Sequence, residues 1–177
     1  MSNEVMKKDT GSVALFGNDL QKGFENMTQD DMALPFIRIL GQLSPQVTDG
    51  DSKFIDGAKP GMIYNTVTND LFDGKKGIKV IPCYYKKDYP EWSDRGDGSS
   101  APVGVHLPHS PVIQTGKRDG SKIRLPNGNY LEETASYYVL VETKAGGMTP
   151  ALITMKSTQL NVSKKWNSMM KTIQIPD

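Results

Sequence analysis

Asn127-Gly128, in the stretch RLPNGNYLEE, commits its neighbourhood to a β-hairpin. The tight turn that matches strand twist needs positive φ at both central residues, and asparagine followed by glycine meets that need best. The turn joins a short strand, Ile123 to Leu125, to one starting near Tyr130. Ala135, Tyr137, Val139 and Val141 then alternate with Tyr138 and Leu140, a period of two that sends the sets to opposite faces. The rest of the chain is cut in the same manner, because 17 glycines and 11 prolines keep extended runs short. Gly61 to Val67, Leu71-Phe72, Gly77 to Tyr85 and Pro150 to Met155 read as strands, and the apolar run from Ala33 to Leu43 leans the same way. One helix is expected near the end. Ser157 or Thr158 would cap it, and Val162, Trp166, Met169, Met170 and Ile173 would form its apolar stripe before Pro176. No strand–helix–strand alternation occurs. The expected class is mainly β: roughly five to seven short strands with long loops and a C-terminal amphipathic helix, which a small barrel or sandwich fits best.

Residues 1–30 hold no sustained periodicity and read as a flexible arm, leaving 31–177 as a single β-rich, nucleic-acid-binding domain. Residues 93–121 form the longest stretch without periodicity, rich in glycine, proline and serine. The start of the chain does not resemble a signal peptide, and no apolar run is long enough to span a membrane, so a cytoplasmic protein without a membrane partner is expected. The single cysteine, Cys83, excludes an internal disulfide and a cysteine-built zinc site; among strand residues it reads as a small core side chain.

A net charge of +1 decides nothing, but its distribution is uneven. Residues 1–60 carry 6 basic and 9 acidic side chains and residues 61–177 carry 15 and 11. The stretch GIKVIPCYYKKDYPEWSDR, residues 77–95, stands out within this basic portion. Tyr84, Tyr85, Tyr89 and Trp92 supply flat rings, and Lys79, Lys86, Lys87 and Arg95 supply cations. Rings interleaved with cations suit an unpaired nucleic acid strand: rings stack on bases for about 1–3 kcal/mol each, and cations follow the phosphates. Lys117, Arg118, Lys122 and Arg124, in and beside the long loop and hairpin, are further candidate phosphate contacts. Core-facing aromatics with water-facing lysines would account for the same strand.

No catalytic set emerges. His106 and His109 lie in a proline-bounded loop without a neighbouring carboxylate, a poor metal site. Asp94 and Asp97 lack the glutamate that closes a calcium loop. Asp70, Asp73, Asp88, Glu91 and Asp94 would have to converge to make a two-metal nuclease centre, and turn carboxylates account for them more simply. No phosphate-cradling glycine motif or nucleophile elbow is present. A non-enzyme without cofactor or metal is expected.

The succession LPFIRILGQLSPQV, KPGMIYNTVTNDLF, KGIKVIPCYYKKDYPEW, NYLEETASYYVLV and KKWNSMM resembles a group of small bacteriophage-encoded proteins. They are found among phage replication and recombination genes and are described as single-stranded DNA-binding or uncharacterised. The resemblance runs from about residue 33 to the end and rests on no catalytic signature. It implies an OB-like barrel that coats single-stranded DNA without strong sequence preference; phage replication or recombination proteins in the host cytoplasm are the further partners expected, and the sequence leaves the oligomeric state open, a homo-oligomer included. One departure is the ending KTIQIPD, where many phage single-strand binders carry an acidic recruitment tail; a truncated chain or a recruitment surface elsewhere would explain it. The alternative reading is a β-class protein-interaction or virion structural module, its aromatic cluster an interface hot spot.

Overall fold

The computed structural model describes residues 33–94, 101–144 and 146–173. The chain divides into two units, Met1–Ala33 and Leu34–Asp177, and every element below belongs to the second. The expected arm at 1–30 lies outside the described residues.

The hairpin forms at Asn127-Gly128, but residues 125–129 join its strands and Asn127 does not take the positive φ of the tight two-residue turn. Strands β7 (Lys122–Arg124) and β8 (Tyr130–Glu132) pair antiparallel, and Gly128 adopts φ 88°. The alternating run becomes β9 (Thr134–Glu142), with Ala135, Tyr137, Val139 and Val141 all buried. The longest strand is β4 (Val80–Trp92), 13 residues that continue well past the stretch legible as strand. Its first two-thirds pair with β9, Lys86 opposite Ser136 and Asp88 opposite Thr134. Its end pairs with β8, Glu91 opposite Leu131 and Trp92 opposite Tyr130. A bulge between Pro82 and Tyr84 shifts the register once.

The remaining strands are β1 (Ile37–Ile39), β2 (Ile63–Asn65), β3 (Leu71–Phe72), β5 (Gly104–His106), β6 (Lys117–Asp119) and β10 (Met148–Lys156). Seven strands form the large sheet in the order β10-β9-β4-β8-β7-β6, with β5 on the other edge of β4. The strands β1-β2-β3 form a second sheet, and a single parallel bridge sets Phe36 beside Leu152 of β10. The fold is therefore mainly β, but with ten strands rather than five to seven, and among the described residues the sheets do not close into a barrel. The extra strands come from 93–121, which holds β5, a short helix α1 (Pro111–Thr115) and β6. Three-residue strands leave too few alternations to be read.

Two cores flank one face of the large sheet. Ile37, Ala135, Tyr137, Val139, Val141 and Ala151 make the first; Tyr89, Ile123, Leu125 and Leu131 make the second. Helix α2 (Leu160–Thr172) covers the first. Its inner side keeps part of the expected stripe: Trp166 and Met170 pack inward with Leu160 around a buried Ser163, while Val162, Met169 and Ile173 are exposed. A polar anchor sets this rotation: the buried Tyr137 hydroxyl lies 2.6 Å from Ser163 Oγ and donates to Asn167 Oδ1 at 2.8 Å. Burial pushes the Tyr137 hydroxyl above the usual phenol range. Neither Ser157 nor Thr158 caps α2 through its side chain; both lie in a 3-10 turn, Ser157–Gln159, that leads into it. Cys83 is exposed, not core, because it is the bulge residue.

Candidate functional site

Alternation along β4 sorts the candidate residues. Tyr84, Lys86, Asp88, Pro90 and Trp92 share one face, and Tyr85, Lys87, Tyr89 and Glu91 share the other. The second set lies on the side of the cores. Tyr89 is only 8% exposed, so the second core claims its ring. Tyr85, 40% exposed, sets its ring tilted at 5.1 Å from that of buried Tyr137, and Lys87 pairs with Glu133 at 2.6 Å, a contact that raises its pKa. The structure thus parts six of the eight residues drawn from 77–95, and Lys79 precedes β4. Arg95 lies outside the described residues.

The first face continues across neighbouring strands. Tyr84 stands opposite Tyr138 with ring centroids 5.7 Å apart, and these rings are 62% and 38% exposed. Trp92 stands opposite Tyr130, Tyr130 opposite Arg124 and Arg124 opposite Lys117. Lys122 Nζ sits 3.7 Å above the Tyr130 ring. One face of one sheet therefore carries four aromatic rings and several cations. Arg118, opposite buried Ile123, lies on the reverse side.

Most of these cations already have partners. Lys79 pairs with Glu142 at 3.2 Å, Lys86 with Asp88 at 3.0 Å, and Arg124 with Asp94 at 2.9 Å and Asp119 at 3.4 Å. The hydrogen bond to Asp88 raises the Lys86 pKa, and that to Asp119 raises the Arg124 pKa. Among the described residues Lys117 and Lys122 form no ion pair. The exposed pairs of Lys79 and Arg124 hold for about 0–1 kcal/mol, so a phosphate can displace them at small cost, whereas the Asp88 carboxylate that Lys86 holds is buried.

A groove of about 600 Å³ opens on this face between β1, the end of β10 and the end of β4. Phe36, Trp92 and Met155 give it apolar walls, Arg38 and Lys156 give it charge, and among the described residues no aspartate or glutamate lines it. Arg38 stacks at 5.3 Å over Phe36, and Lys156 pairs with Glu132 at 2.8 Å. The Trp92 indole N–H is buried without an acceptor among the described residues. Sequence reasoning missed Phe36, Arg38, Tyr130, Tyr138 and Lys156, since only pairing between distant strands brings them to Trp92 and Tyr84.

On the core side, Glu91 builds a polar cluster. It is 8% exposed. Its carboxylate accepts from Asn129 Nδ2 at 2.6 Å, His106 Nε2 at 2.7 Å and Asn127 Nδ2 at 3.1 Å. These bonds, Asn129 first, hold the carboxyl below the usual range. An ionised carboxylate only accepts, so His106 carries a proton on Nε2. The histidine that seemed to lack a carboxylate has one in space. Among the described residues no three His, Cys, Asp or Glu side chains gather as a metal site, and no helix is long and apolar enough to cross a membrane.

No curated protein and no solved structure matches the chain. A family model described as Pam3 phage gp34-like protein matches residues 7–177, nearly its whole length. The chain, with its open mainly β sheet and its aromatic outer face, belongs to the Pam3 phage gp34-like family.

Proposed function

We propose that the chain binds single-stranded DNA without catalysis, through the outer face of its large sheet, and serves phage replication or recombination in the host cytoplasm. The observation that carries this reading is the sharing of one face by Tyr84, Tyr138, Trp92 and Tyr130 with Lys86, Lys117, Lys122 and Arg124. A duplex hides its bases and cannot use exposed rings; an unpaired strand can lay bases on them while its phosphates reach the flanking cations. A sheet face rather than a pocket also suits binding that tolerates any sequence, since every base has a flat surface to offer. Because several cations must exchange carboxylate partners for phosphate, the electrostatic contribution should be modest. Three or four net phosphate contacts would give a salt slope of about −2 to −3 in log–log form.

The test is fluorescence anisotropy of a labelled oligothymidylate against a duplex of equal length, at two salt concentrations. Binding of the single strand alone, weakened by salt and accompanied by a change in tryptophan emission, supports the reading. Failure to bind at low salt overturns it.

One observation favours a second reading. Ile81 and Tyr84 are 51% and 62% exposed beside Tyr138, and the lysines nearest them, Lys79 and Lys86, are already neutralised. A protein partner would find there an apolar centre with a polar rim. The same anisotropy experiment separates the two.

A further inference from the structure

We infer that the groove between β1 and the ends of β10 and β4 is a nucleotide pocket, taking one unpaired base among Phe36, Trp92 and Met155 with its phosphate at Arg38. This rests on the proposed single-strand binding and assigns the point at which the strand is anchored. The volume, about 600 Å³, falls within the roughly 300–1,000 Å³ of small-ligand sites. The lining separates into the two chemistries of a nucleotide. Two aromatic rings and a thioether offer the apolar, polarisable contacts that a base needs, and Thr134 and Thr154 place hydroxyls beside them. Arg38 supplies positive charge, Lys156 does so where it leaves Glu132, and among the described residues no carboxylate lines the groove to repel an anion.

Arg38 differs from Lys79, Lys86, Arg124 and Lys156, each of which is held in an ion pair. It has no ion pair among the described residues, and its guanidinium is held over the Phe36 ring at 5.3 Å. A guanidinium stacked on an aromatic keeps its N–H edge directed outward, the edge that grips phosphate oxygens in pairs. Trp92 adds a second unmet need. Its indole N–H is buried, shut off from solvent, and without an acceptor among the described residues, a cost that a base carbonyl oxygen removes when the ring shifts toward the groove. The groove also continues the outer face, because Trp92 both lines it and stands opposite Tyr130. A strand anchored here would lead onto the rings and cations of β8, β7 and β6.

The experiment follows the two tryptophan indole N–H signals of the isotope-labelled full chain by NMR, with Trp92→Phe identifying the Trp92 signal. The probes are thymidine 5′-monophosphate, thymidine and inorganic phosphate, and oligothymidylate binding is measured in parallel by anisotropy. The monophosphate should shift the Trp92 signal and bind about tenfold more tightly than thymidine. Arg38→Ala, at an exposed position, should bring that ratio close to one without changing thermal stability. Inorganic phosphate alone should leave the signal in place. A monophosphate that does not move Trp92 while the oligonucleotide binds overturns the pocket and leaves the outer-face reading standing. Absence of binding by both overturns both. A tenfold ratio that survives Arg38→Ala overturns the phosphate assignment, and an equal shift from inorganic phosphate overturns base recognition.

Discussion

Replacing Glu91 should expose how the rim of the large sheet is held together. Its carboxylate accepts from Asn129, His106 and Asn127 at 2.6, 2.7 and 3.1 Å, tying β5 on one edge of β4 to the β7–β8 turn on the other. Bonds to a charged group contribute about 1.5–3 kcal/mol each, but three donors on one carboxylate do not add. The asparagine donors lie near the surface, where water replaces part of what is lost. Glu91→Ala is therefore expected to cost about 3 kcal/mol, or about 6–12 °C in Tm for a chain of this size. Glu91→Gln should cost less, about 1–2 kcal/mol, because the amide oxygen still serves both asparagines and a tautomer change lets His106 accept from the new amide. The effect must depend on pH in one direction. The folded carboxyl titrates below its unfolded value, so its contribution is complete above the ordinary carboxylate range, near about 4.3, and fades as pH falls through the lower folded value. Urea denaturation of wild type, Glu91→Ala and Glu91→Gln at about pH 7 and about pH 3 measures this. A loss below about 1 kcal/mol for alanine, or a gap between wild type and glutamine that does not shrink in acid, would refute the reasoning.

Tyr137→Phe removes the hydroxyl that meets Ser163 and Asn167 of α2 and should lower stability by about 1–3 kcal/mol in urea; a change near zero would mean that apolar packing alone orients the helix. Gly74→Ala would place its Cβ 1.8 Å from the main-chain oxygen of Gly61, whereas at Gly104 nothing lies within 4 Å. The first should cost more than about 2 kcal/mol and the second stay within about 0.5 kcal/mol, and similar melting temperatures for both would contradict this packing. Tyr84→Ala should weaken oligothymidylate binding by about 1–3 kcal/mol and leave Tm alone, while Tyr89→Ala should lower Tm by removing a core ring. The opposite pattern would exchange their roles.

The strands with strong turn signals or long alternation were legible. Asn127-Gly128 placed the hairpin, and Tyr137, Val139 and Val141 declared a buried face before any pairing was known. Strands of three residues, β5 and β6 above all, carried no period to read. The helix stripe held only in part, for a different reason. Val162, Met169 and Ile173 repeat at helical spacing, but the Tyr137 hydroxyl turns polar Ser163 inward, and hydrophobicity cannot signal an anchor of that kind. The aromatic stretch held more information than its composition suggested. Counting rings and lysines put Tyr84 and Tyr85 together, although strand alternation separates them. The groove could not be read at all, since Arg38 meets Trp92 only through β1 docking beside β10.

The bulge at Cys83 decides which half of β4 the protein shows to its surroundings. Were Cys83 to pair as an ordinary strand residue, the alternation set by Val80 and Pro82 would continue through it. Tyr84, Lys86 and Trp92 would then turn toward the cores, and Tyr85, Lys87 and Tyr89 would face outward. Deleting the Cys83 codon would instead join Pro82 directly to Tyr84 and keep both faces of the strand as they are.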